Sequence, residues 1–270
     1  MKTFAKVTSL FFICLFLLTS TVQAENETSV AKIIRIMTVV ICQQDNFIQY
    51  VLEPYLSEHN IKIEYRQGHH SEVAKAAANK EVDFVIAHTK VKALQKMEQK
   101  GLLEKGHHLF SNPMAFLGPK NDPAHISGMQ NPVQAIKKIL ESDYCFVING
   151  HERLAKIQKK LIKQSAVTGA CVIESEKQNE AVLNEAFEKN AYTLWGLHPY
   201  AKKGKGKLTP IVIPDEVLLS DMTGWVVKGT GREKEASELL NYLNTEQARK
   251  RITEFRLNNY DDIQAWWPAK

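Results

Sequence analysis

Apolar runs of strand length return along most of this chain, and a stretch of helical period lies between nearly every pair of them. The runs fall at 33–41, 61–65, 84–87, 115–118, 145–148, 171–173, 192–195, 209–213 and 224–227. Between them Phe47, Val51, Leu52 and Tyr55 recur at the three- and four-residue spacing of one helix face, as do Ala135, Ile136, Ile139 and Leu140, and later Ala236, Leu239, Leu240 and Leu243. Asn131 before Pro132 marks a helix start, with Asn as the cap and Pro at the first helical position. Strand alternating with helix predicts an α/β protein with mainly parallel sheets. The chain has no internal repeat and no low-complexity tract.

Ahead of the first run, Lys2 and Lys6 precede an apolar stretch at 10–18, and Val22, Gln23 and Ala24 put small residues at a cleavage position. This predicts a cleavable secretory signal over 1–24, and a periplasmic or secreted protein after cleavage near Ala24. The apolar stretch falls well short of the roughly 20 residues that a bilayer span needs. Glu25 rather than Cys follows, so a lipid anchor is not expected. About 246 residues then remain, enough for one large domain or for two, each with its own core.

Without Lys2 and Lys6 the 35 Lys and Arg fall to 33 against 30 Asp and Glu, a net charge of +3. That is too mild for a nucleic-acid partner, whose binding face is concentrated in basic residues. The run Lys202, Lys203, Lys205 and Lys207, spaced by glycines, reads as a solvated loop. Cys14 lies inside the signal-like stretch, which leaves Cys42, Cys145 and Cys171 in an oxidising compartment. Cys145 and Cys171 each sit in a short apolar run with one helix between, so their strands can be neighbours and a disulfide is possible. Cys42 would then be free, at the end of the first strand.

The segment 82–123 carries a family likeness. Asp83-Phe84-Val85-Ile86-Ala87-His88, then Asn112-Pro113-Met114-Ala115, then Gly118-Pro119-Lys120-Asn121-Asp122-Pro123-Ala124 resemble, in order and spacing, the central segment of extracytoplasmic tungstate-binding proteins. Weaker likenesses continue at Leu52-Glu53-Pro54-Tyr55-Leu56, Ile61-Lys62-Ile63-Glu64, Tyr192-Thr193-Leu194-Trp195, 243–248 and 254–257, with an aromatic-aromatic-Pro end at Trp266-Trp267-Pro268. The resemblance implies a two-lobed periplasmic binding protein type II fold, each lobe a mostly parallel sheet flanked by helices. Lobe one would hold 25–112 and 215–270, and lobe two 113–214. The ligand would lie between the lobes, at the carboxyl ends of strands and the amino ends of helices. A monomeric capture component of an ABC uptake system is implied, with a transporter permease as partner and no cofactor.

The loops that name the ligand in that family differ here. Ile41-Cys42-Gln43-Gln44 stands where the family carries Thr-Thr-Thr-Ser, and Gln67-Gly68-His69-His70-Ser71 where it carries Gly-Thr-Gly. In the third loop Asn149 takes the family's Arg position, followed by Gly150, His151 and Arg153. The ligand-lining set is therefore expected to be Cys42, Gln43, Gln44, Gly68, His69, His70, Ser71, His88, Asn149, Gly150, His151, Arg153 and Trp195. A small oxyanion held by helix ends near Gln43, Ser71, Gly150 and Arg153 is the first reading. The alternative is a binding-protein-like sensor or diverged relative with another ligand, such as a transition metal held by Cys42, His69 and His70. His88 matches a His of the family's own strand and reads as scaffold or cleft lining. His107 and His108 lie on a crossover strand away from the cleft. Tyr192 and Trp195 weigh toward core packing over ligand stacking, and Trp225, Trp266 and Trp267 read as packing. No nucleophile elbow, His-Glu-x-x-His helix or Walker loop is present, so catalysis is not expected.

Overall fold

The computed structural model describes residues 32–204 and 206–269. The signal-like segment with Cys14 and the cleavage position near Ala24, and Lys205 of the basic run, lie outside the described residues. Described elements begin with β1 (Lys32–Val39), a 3-10 stretch (Val40–Asn46), α1 (Phe47–Glu58), β2 (Ile61–Gly68), α2 (His70–Ala78), β3 (Phe84–His88) and α3 (Lys92–Gln99). A long strand, β4 (His107–Gly118), leads to α4 (Pro132–Leu140), β5 (Phe146–Ile148), α5 (Glu152–Ser165), β6 (Val172–Glu174), α6 (Glu180–Glu188), β7 (Thr193–Gly196), α7 (Leu197–Lys203) and β8 (Thr209–Val212). The chain finishes with β9 (Leu219–Val226), α8 (Glu233–Leu243), α9 (Glu246–Glu254), β10 (Arg256–Leu257), β11 (Tyr260–Gln264) and β12 (Trp267–Pro268).

The expected helix faces are the buried ones. Phe47, Val51, Leu52 and Tyr55 of α1, and Ala135, Ile136, Ile139 and Leu140 of α4, all point into the core. Asn131 caps α4 by accepting from the backbone N–H groups of Val133 at 2.9 Å and Gln134 at 3.1 Å, with Pro132 in the first turn.

The strands run β12-β4-β9-β3-β1-β2. β1 is parallel to β2 and β3, whereas β9, β4 and β12 join antiparallel, so this sheet is mixed where mostly parallel strands were expected. The long antiparallel members are β4 and β9, whose full lengths are hard to see as apolar runs. β4 opens with His107 and His108 and contains Pro113, and β9 opens Leu219, Ser220, Asp221, so each showed an apolar run in sequence only at its end. β4 serves two sets of strands. Its first half, as far as Pro113 opposite Leu219, pairs with β9. From Met114 opposite Gly196 onward it pairs with β7 on one side and β8 on the other.

β5 and β6 form a parallel pair, and a bridge from Phe146 to Tyr192 leads toward β7. The disulfide between Cys145 and Cys171 closes the ends of this pair. One apolar core packs Phe47 face to face on Trp266 at 4.5 Å with Phe110 edge-on to both, while Phe116 meets Phe146 under β5. Asp83 is wholly buried at the start of β3. Burial alone would raise its pKa, yet two hydrogen bonds from the Arg35 side chain, at 2.6 and 3.1 Å, and one from the Arg35 N–H hold it below the ordinary carboxylate value.

Candidate functional site

Four segments converge on one polar cluster: the first turn of α2, the end of β3, the first turn of α5 and the start of β9. His70 opens α2 because Gly68 ends β2 there. A Cβ on Gly68 would meet the Met37 methyl at 2.7 Å and the Glu72 carboxylate at 2.8 Å. That carboxylate accepts from the His69 N–H at 2.6 Å, so a side chain at Gly68 would have to displace the ends of Met37 and Glu72. His88 is the last residue of β3 and is partly buried. Its Nδ1 lies 2.8 Å from His70 Nε2, with the rings edge to face at 5.0 Å, so one imidazole donates to the other. Ser71 is exposed in the same turn.

Arg153 reaches this pair from α5. Its guanidinium donates to the Ser220 hydroxyl at 2.6 Å, at the start of β9, and its charge acts on both histidines. Burial, then His70, then Arg153 push His88 down to about 4. Burial, then His69 and Arg153, lower His70. The neighbouring carboxylates are engaged elsewhere. Glu72 caps α2, Glu152 pairs with Lys156 at 2.6 Å, and Asp221 accepts from Ser111 at 2.8 Å with His108 at 3.6 Å. The cluster is thus a concentration of N–H donors carrying one fixed positive charge.

Other expected lining residues lie elsewhere. Cys42 is fully buried, and desolvation drives its thiol well above the ordinary value, so it is a core residue rather than a ligand. The reason is local: the chain after β1 coils as a 3-10 turn that presents one side chain inward, and that one is Cys42. With Cys42 withdrawn, the expected Cys42, His69 and His70 metal triad does not form. Among the described residues no three His, Cys, Asp or Glu side chains are gathered to hold an ion.

Trp195 is 6 % exposed, paired opposite Ala115 in the sheet, and packs as core. Gly150 gives its N–H to the Lys177 carbonyl at 2.9 Å, and a Cβ there would lie 2.6 Å from that oxygen, so this glycine serves chain packing and offers no N–H outward. The His151 N–H is likewise taken, by Asn149 Oδ1 at 3.0 Å. Asn149 is wholly buried, its Nδ2 donates to no acceptor among the described residues, and its own N–H is given to Gln158 Oε1 at 2.7 Å. His151 stands exposed at the N-cap position of α5, and its side chain makes no capping hydrogen bond.

Gln43 and Gln44 line a separate depression of about 740 Å³, together with Asp45, Gln67, Lys202 and Asn258. None of His70, His88 and Arg153 lines it. The structure therefore splits the expected set into an imidazole and guanidinium cluster and an amide-walled hollow. Ser220 is the member that sequence reasoning missed. It lies in the polar opening of β9, and only the pairing of that strand with β4, which sets Ser220 opposite Asn112, brings it near Arg153.

Residues 46–255 match the sequence profile of the family described as bacterial extracellular solute-binding protein. No curated protein matches the chain. Among solved structures the fold is similar to the tungstate-binding protein of Desulfovibrio alaskensis, with a TM-score of 0.67 at 21 % identity over 88 % of this chain and 99 % of that one. It is also similar to the structure described as the tungstate ABC transporter of Geobacter sulfurreducens, with a TM-score of 0.58 at 21 % identity over 84 % of this chain and 100 % of that one.

Proposed function

The chain belongs to the bacterial extracellular solute-binding proteins, and from that premise we propose that it is an exported, monomeric capture protein that binds a small oxyanion and delivers it to an ABC importer. The observation that carries this reading is the Arg153 guanidinium beside the His70–His88 pair, with the nearby carboxylates committed to other partners. Fixed positive charge with no carboxylate partner among the described residues, flanked by the first turns of two helices, stabilises an anion and repels a cation. The loops around it differ from those of the tungstate-binding family, so the oxyanion need not be tungstate.

In this reading 25–112 with 215–270 form one lobe and 113–214 the other. The change of β4 partners after Pro113 supports that division, and Arg153 at Ser220 would then bridge from lobe two to the strand that returns to lobe one. An anion binding across the cleft favours the closed form, which is the form an importer can distinguish.

Thermal denaturation of the mature protein with tungstate, molybdate, sulfate, phosphate, zinc and copper tests the proposal. At a hundred times Kd an oxyanion should add about 2.7 kcal/mol, a rise in Tm of roughly 5 to 10 °C for a chain of this size. Arg153→Ala should abolish that rise. Stabilisation by zinc or copper alone would overturn the oxyanion reading.

A further inference from the structure

We propose that the His70–His88 pair takes up one proton with each anion bound beside Arg153, so that capture and release of the ligand are linked to pH. This rests on the oxyanion reading above and goes beyond it, because a site of fixed charge alone would bind an anion without proton movement. The geometry carries the argument. A hydrogen bond between His70 Nε2 and His88 Nδ1 at 2.8 Å requires one nitrogen to carry hydrogen and the other a lone pair. In the neutral pair the two outward nitrogens, His70 Nδ1 and His88 Nε2, then hold a single proton between them. One of the two can donate to a ligand oxygen and the other would meet it with a lone pair. Adding one proton turns both into donors and gives the pair a positive charge, without disturbing the bond between the rings.

Charge around the pair decides when that proton is held. The first turn of α2 contributes His69 and Glu72, whose carboxylate faces the His69 N–H. The first turn of α5 contributes Arg153 and Glu152, the latter ion-paired with Lys156. The start of β9 contributes Asp221, held by Ser111 and close to His108. With its carboxylates so committed, the site by itself opposes protonation. Burial lowers both imidazoles, and the charge of Arg153 adds to it. A bound anion reverses the electrostatic part, since it attracts the proton that Arg153 repels. By reciprocity, each unit by which the anion raises the pair's pKa strengthens anion binding tenfold at pH values below both.

Calorimetric titration with tungstate, molybdate and sulfate, at pH 6.0 and 7.5 and in buffers of unequal ionisation enthalpy that are not themselves small oxyanions, reads the proton directly. The expected result is uptake approaching one proton per anion at the lower pH, with affinity rising by up to tenfold per unit as pH falls. His88→Gln and His70→Gln each leave one imidazole that can take the proton, so the double variant, whose two amides hydrogen-bond but cannot become charged, is the one that should bind without proton uptake and with a flat pH profile. A melting curve checks that each variant folds. Imidazole carbon-proton NMR shifts of the wild type, with and without saturating anion, give the same answer without mutation.

Anion binding with no proton uptake by the wild type, or an unchanged pH slope in the double Gln variant, would overturn the proton linkage while leaving the oxyanion reading standing. If none of the three anions binds at either pH, the oxyanion reading fails and takes the linkage with it.

Discussion

His198 lies wholly inside the core, its ring 4.4 Å from that of Trp266, and neither ring nitrogen has a hydrogen-bond partner among the described residues. Desolvation alone pushes it down to about 3. In the unfolded chain an imidazole titrates near 6.5, so between those values the unfolded chain holds a proton that the folded chain lacks. The sign follows: stability is whole above about pH 6.5 and declines as pH falls toward 3, by about 1.4 kcal/mol per unit. His88, at about 4, acts in the same direction over a shorter range. At pH 5 His198 by itself should have removed about 2 kcal/mol. His198→Leu keeps an apolar side chain there with no proton site, so urea denaturation should find its loss of stability between pH 7 and 5 smaller than the parent's by about that amount. An equal loss in parent and variant would mean that His198 is not held neutral. Arg153 is the counterpart at the surface, a guanidinium that donates to the Ser220 hydroxyl and has no carboxylate partner among the described residues, and the two residues show how the same fold excludes charge at one point and concentrates it at another.

At the level of elements, the disulfide is the most directly testable joint. Cys145 and Cys171 stand one residue before β5 and β6, which pair in parallel, and the bond spans 26 residues of sequence. Loop-closure entropy for that span is worth about 3.5 kcal/mol. A Cys145→Ala, Cys171→Ala double variant should therefore lose roughly 2 to 4 kcal/mol in chemical denaturation, and a reductant should lower the Tm of the parent and leave the variant unmoved. Buried Cys42 should stay unreactive toward a thiol reagent until the chain unfolds.

The same elements show what could be read in advance. α1, α4 and α8 were legible because each presents one apolar stripe at helical spacing, and the stripe is the face that packs. β1, β2, β3 and β5 were legible as short apolar runs. β4 was legible at its two ends but not as one strand, because a strand that leaves one set of partners for another carries polar residues and Pro113 where the change occurs. Of the site, His70, His88 and Arg153 were named from the loops in which they stand. That two of them touch, and that Ser220 meets the third, depends on long-range pairing that no local pattern encodes. Cys42, Gly150 and Trp195 were drawn into the expected site because they sit at strand ends, but position along the chain does not say which way a side chain points.

For the whole molecule, the described residues form a single contact unit, and two strands join its parts: β4, which changes partners after Pro113, and β9, which begins opposite it at Leu219. If 113–214 moves as a lobe, the motion must bend the chain at that paired position. The cluster would then open with it, because Arg153 lies in 113–214 while His70, His88 and Ser220 lie outside it. α7 adds a second tie, since its His198 and Tyr200 meet Trp266 and Tyr260 of the carboxyl-terminal segment. A ligand that closes such a cleft has to protect both sides at once. Hydrogen exchange measured with tungstate or molybdate, whichever stabilises the protein, should therefore slow together at the first turns of α2 and α5, at 111–114 and 219–221, and in α7. For amides that exchange only through opening, ligand at a hundred times Kd should slow exchange about a hundredfold. Slowing confined to α2 and the end of β3 would mean that the anion sits on one face without drawing the chain together, and the two-lobe account of closure would be wrong even with the anion bound.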